Sequence, residues 1–86
     1  MTTVRDDNKI PVSTVDARGL ACPLPLLKAK QGLRHLVLGE VLEVLATDAG
    51  SWRDFHAFAQ QAGHGLLVAE DCGDSYRYLI QRGEIQ

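Results

Sequence analysis

Eighty-six residues allow one domain with one small core, read over 11–86 after a disordered tail at 1–10, and leave no room for a second domain of about 100 residues. A hydrophobic fraction of 45% beside 23% charged residues is ordinary globular composition and excludes a chain that is disordered throughout. The formal charge of −2 gives phosphate backbones no general attraction, so direct nucleic-acid binding is not the expected function.

The opening segment carries Arg5, Asp6, Asp7 and Lys9 in place of the apolar run of a signal peptide, and no stretch approaches ~20 consecutive apolar residues. A cytoplasmic chain without direct membrane contact is therefore expected. Two cysteines in a reducing compartment read as free thiols. With three scattered histidines and no Cys-x-x-Cys spacing, no metal site is expected, and no cofactor.

In chain order, the alternation from Pro11 to Asp16 predicts a short strand that ends before Arg18-Gly19. From Pro23 onward Leu26, Ala29, Leu33 and Leu36 recur at helical spacing, which predicts a first helix ending near Gly39. Pro23 and Pro25 fit its first turn, where N–H groups have no intrahelical partner. The apolar run Glu40 to Thr47 predicts an inner strand. Ser51-Trp52-Arg53-Asp54 has the form of a capping box, and the second helix then buries Trp52, Phe55, Phe58, Ala59 and Ala62 before Gly63 and Gly65 stop it. Leu66 to Ala69 begins a third strand, Asp71 to Ser75 turns, and Tyr76 to Arg82 alternates as a fourth. The order βαβαββ predicts an α/β (α+β) fold: a four-stranded mixed sheet, both helices on one face, and an antiparallel final hairpin.

Cys22 is the candidate working atom. It stands just before a helix, where unpaired N–H groups and the positive end of the macrodipole favour an anion. A thiol near ~8.5 is only a few per cent ionised at neutral pH, and such a position lowers that value, giving the thiolate that nucleophilic chemistry needs. Gly19 turns the chain from strand to helix, and the prolines stiffen the turn and hold the sulfur outward. The competing reading is a buried small hydrophobe.

The run Asp16-Ala17-Arg18-Gly19-Leu20-Ala21-Cys22-Pro23-Leu24-Pro25 resembles the TusA-like (SirA-like) sulfur-carrier family, whose mark is Asp-x-x-Gly-x-x-Cys-Pro-x-Pro. The resemblance continues through Gly39-Glu40, Asp48, Arg53-Asp54 and Tyr76 to Ile80. It implies a two-layer sandwich in which Cys22 receives sulfane sulfur from a cysteine desulfurase or rhodanese-type donor. The sulfur then passes to an acceptor protein, for tRNA thiolation, molybdenum cofactor biosynthesis or related sulfur metabolism. Asp16, Gly19, Pro23 and Pro25 are the supporting motif. Leu24 stands where many members of the tRNA branch have Glu, and Ala49 where they commonly have Pro. Loss of an anion at Leu24 eases ionisation of the thiol and changes the surface a partner reads.

The remaining candidates have bland readings as well. Asp16 and Asp48 fall near strand C-terminal ends, the edge that partners approach in α/β sheets, and each equally suits a turn or cap. Leu24, Lys28, Arg34 and Asp48 are candidate docking residues, while lysines and arginines on one helix, Lys30 included, are most simply a solvated face. Cys72 sits in a turn and is read as uninvolved, and His35, His56 and His64 receive no role. The alternative function is a thiol-based regulatory or interaction module that responds to oxidation and moves no sulfur.

Overall fold

The computed structural model describes residues 10–83, so the tail reading over residues 1–9 lies outside the described residues. The elements are β1 (Ser13–Ala17), α1 (Leu24–Arg34), β2 (Val41–Ala46), α2 (Gly50–Ala62), β3 (Gly65–Asp71) and β4 (Tyr76–Gln81). In the sheet the strands lie β1-β2-β4-β3. β1 and β2 run parallel, and β4 runs antiparallel to both of its neighbours. A parallel pair needs a crossover, which α1 supplies; α2 carries the chain to the far edge, and β4 returns into the slot beside β2.

Register explains the core. Val15, Val44, Tyr78 and Ala69 lie in one row across the four strands, and Leu42, Ile80 and Leu66 in another. Side chains alternate along a strand, so both rows face the same side. There Ala29, Leu33 and Leu36 meet them from α1 and the turn after it, and Phe55 from α2, in one cluster. Both helices therefore cover one face. Phe55 stacks on Tyr78 with ring centroids 4.5 Å apart, an arrangement that adds about 0.5–1.5 kcal/mol to the burial of the rings. On the opposite face a polar chain spans the sheet: Thr14 donates to Glu43 at 2.9 Å, and Arg77 donates to Glu43 at 2.6 Å and to Glu70 at 3.2 Å.

Three local expectations are corrected. α1 ends at Arg34, not near Gly39, because Arg82 donates to the carbonyls of Leu33, at 2.8 Å, and Leu36. Its guanidinium satisfies the open carbonyl end and frees the chain to turn into β2. Ser51 does not cap α2: the helix begins one residue earlier, and the Ser51 hydroxyl points inward to the Tyr78 hydroxyl at 2.8 Å. Asp48 takes the cap's place by accepting the Gly50 N–H at 3.0 Å. Trp52 is 38% exposed and not buried. The buried stripe of α2 runs through Ser51, Phe55 and Ala59, which leaves Trp52 on its flank beside the rings of Tyr76 and His56.

Candidate thiol site

The link from β1 to α1 sets the position of the sulfur. Asp16 accepts from Arg18 three times, from its main-chain N–H at 3.1 Å and from its guanidinium at 2.8 and 2.9 Å. These hydrogen bonds hold the Asp16 carboxyl down at about 2. Asp16 is thus the staple of the turn, its carboxylate already engaged. Gly19 follows at φ +83°, a left-handed angle that an L side chain adopts only with strain, and its N–H donates to the Thr47 hydroxyl at 2.9 Å. The turn is so tied to the end of β2, and Cys22 emerges beyond it as an exposed free thiol.

Cys22 lies at the start of two helices. Pro23 is the N-cap of α1 and Pro25 is buried in its first turn; the Cys22–Pro23 peptide bond is cis. From the other side comes the start of α2, where a Cβ on Gly50 would stand 4.0 Å from the sulfur. Four residues further along α2, Asp54 accepts a hydrogen bond from the Cys22 thiol, Sγ to Oδ2 3.0 Å.

That contact reverses the electrostatic expectation. The thiol is pushed up from its ordinary value, first by the hydrogen bond to Asp54, then by desolvation and by the charges of Asp54 and Asp48, with Arg53 opposing. Two local facts limit what the start of α1 offers an anion. Pro23 and Pro25 carry no N–H, and the N–H of Leu24 is bound to the Ala21 carbonyl at 2.8 Å. The prolines of the motif have removed donors that an anion at a helix start would use.

The structure gathers some of the other candidates and separates the rest. Leu24, two residues from the thiol, and Leu27, one turn further along α1, are 45% and 46% exposed, and Lys28 is exposed on the same helix. Asp48 both accepts the first N–H of α2, from Gly50, and places its charge near Cys22. Arg34 is ten residues beyond Leu24, about 15 Å along the helix axis. It lines a cleft of about 250 Å³ between the ends of the two helices, together with Lys30, Phe58, His64 and Arg82. Ala49 has φ −63°, the angle proline would impose, so the turn keeps its shape without the ring. Cys72 lies in the β3–β4 hairpin as a second exposed free thiol, its N–H held by the Ser75 carbonyl at 2.8 Å.

Asp54 was the residue that sequence reasoning assigned elsewhere, as the acidic end of a capping box. The available signal was its periodicity: Asp54 stands four residues after Gly50 and one before the buried Phe55, on the flank of α2 that faces the start of α1.

A family model described as Sulfurtransferase TusA matches residues 13–82. The sulfur carrier protein TusA of Allochromatium vinosum is 47% identical over 68 residues, covering 79% of this chain and 90% of that protein. The Bacillus subtilis protein YrkI is 44% identical over 69 residues, covering 80% and 92%. Among solved structures, a SirA-like protein from Desulfitobacterium hafniense superposes with a TM-score of 0.72 at 28% identity, over 85% of this chain and all of the other.

Proposed function

Because the chain belongs to the sulfurtransferase TusA family, we propose that it is a sulfur carrier, in which Cys22 takes up sulfane sulfur as a persulfide from a donor protein and yields it to an acceptor protein. The observation that carries this reading is the exposure of Cys22 at the meeting of two helix starts. A sulfur on an open surface suits transfer between proteins, where the partner's own cysteine must reach bonding distance and the partner brings further catalytic groups.

The donor is of cysteine desulfurase or rhodanese type. The acceptor is a protein of a sulfur relay serving tRNA thiolation, molybdenum cofactor biosynthesis or related sulfur metabolism. Residues 11–86 act as one TusA-like unit in the cytoplasm, with Asp16, Gly19, Pro23 and Pro25 presenting the thiol. Docking engages the exposed apolar pair Leu24 and Leu27, rimmed by Lys28 and Asp48, with Arg34 at the distal limit. Leu24 places an apolar side chain next to the sulfur and so favours a partner with an apolar face there.

Incubation with a cysteine desulfurase and cysteine is expected to add the mass of one sulfur atom to the chain. Intact-mass spectrometry should show the gain in the wild type and in Cys72→Ser and lose it in Cys22→Ala. Equal labelling of Cys22→Ala would sink the proposal.

A further inference from the structure

We propose that Asp54 is the proton acceptor for Cys22 during sulfur uptake, a catalytic role in contact with the reacting sulfur. The inference rests on the carrier reading. It starts from geometry: the carboxylate lies 3.0 Å from Sγ and accepts the thiol's hydrogen bond, within the reach that a general base needs. The other groups near the sulfur are less suited. Asp48 acts on it only through its charge, since Oδ2 of that residue is engaged by the Gly50 N–H. Arg53 has no acceptor to offer.

A carboxylate beside a nucleophilic thiol presents a contradiction if the thiol reacts in open water, because the negative charge suppresses ionisation. The contradiction disappears when the donor is docked. A partner seated over Leu24 and Leu27 excludes water from the sulfur, and the thiol proton then needs an acceptor inside the interface. Asp54 is already bonded to that proton. Before docking, the same contact keeps the sulfur in its less reactive protonated form.

The step balances without an oxidant or reductant. The donor presents a cysteine persulfide, whose outer sulfur is electrophilic. Cys22 Sγ forms a bond to that outer sulfur as its proton passes to Asp54 Oδ2. The bond between the donor's two sulfurs breaks, and its electron pair stays on the donor's cysteine sulfur. The proton on Asp54 then moves to that leaving thiolate. One thiol and one persulfide exchange places, and Asp54 returns to the carboxylate.

Two rates measured on Asp54→Asn separate this role from others. Alkylation by iodoacetamide in open solution reports how readily the thiol ionises, and it should be faster than in the wild type at neutral pH. Sulfur uptake from a cysteine desulfurase reports transfer inside the interface, and it should slow by about tenfold or more. Asp54→Glu keeps a carboxylate and should recover uptake. If Asp54→Asn does not fold, as judged by its thermal melt, Asp54→Ser takes its place with the same pair of expectations. Uptake as fast as or faster than wild type, alongside faster alkylation, makes Asp54 a mere electrostatic brake and overturns the inference alone. A wild-type chain that takes up no sulfur overturns the carrier reading and this inference with it.

Discussion

At the scale of single residues, the main finding is that the thiol site is not a simple anion cradle. A cysteine ahead of a helix is ordinarily expected to be acidified. Here the donors that would do this are missing at Pro23 and Pro25 or spent at Leu24, and a carboxylate sits 3.0 Å from the sulfur. The resulting direction can be measured without any partner. In a Cys72→Ser background, the rate of Cys22 alkylation against pH should have its midpoint above the ~8.5 of an ordinary thiol. A midpoint below that value would show that the two helix starts outweigh Asp54.

At the scale of elements, α2 orders the site because it is anchored at its beginning. Ser51 is 2% exposed, and its hydroxyl is paired with that of the fully buried Tyr78. Tyr78 in turn stacks on Phe55, so the first turn of α2, and Asp54 with it, is pinned to β4. Removing one partner leaves the other hydroxyl buried and unpaired, which costs more than removing both. Ser51→Ala and Tyr78→Phe should each destabilise the chain by about 1–3 kcal/mol. The double variant should cost less than the sum of the two, as read from urea midpoints. A strictly additive pair would mean that the contact does not hold the helix.

At the scale of the whole molecule, the sheet is tied across by the chain from Thr14 through Glu43 and Arg77 to Glu70. The Glu43 carboxyl is held below its ordinary value of 4.5, first by the hydrogen bond from Arg77 and then by that from Thr14. A folded-state value below the unfolded one contributes stability at neutral pH, which is lost as pH falls below about 4.5 and through the folded value. Glu43→Gln should therefore lower stability near pH 7 by on the order of 1 kcal/mol, and the gap to wild type should close under acid conditions. Parallel acid-unfolding curves would contradict this.

The sequence by itself determined the element order, the inner place of β2, the positive-φ turn at Gly19, the cysteine with its two prolines, and the family. These follow from local patterns: apolar period, turn chemistry and a contiguous motif. Only the tertiary structure decided where α1 stops, why Ser51 faces inward, why Trp52 stays at the surface, and which way the thiol is shifted. For the end of α1, Ser51 and the thiol the deciding partner is distant in the chain. Arg82 reaches Leu33 across 49 residues, Tyr78 reaches Ser51 across 27, and Asp54 reaches Cys22 across 32. Hydrogen bonds and charges act through space, so a cysteine can be located from its neighbours in sequence, while its readiness to react depends on what the fold sets beside it.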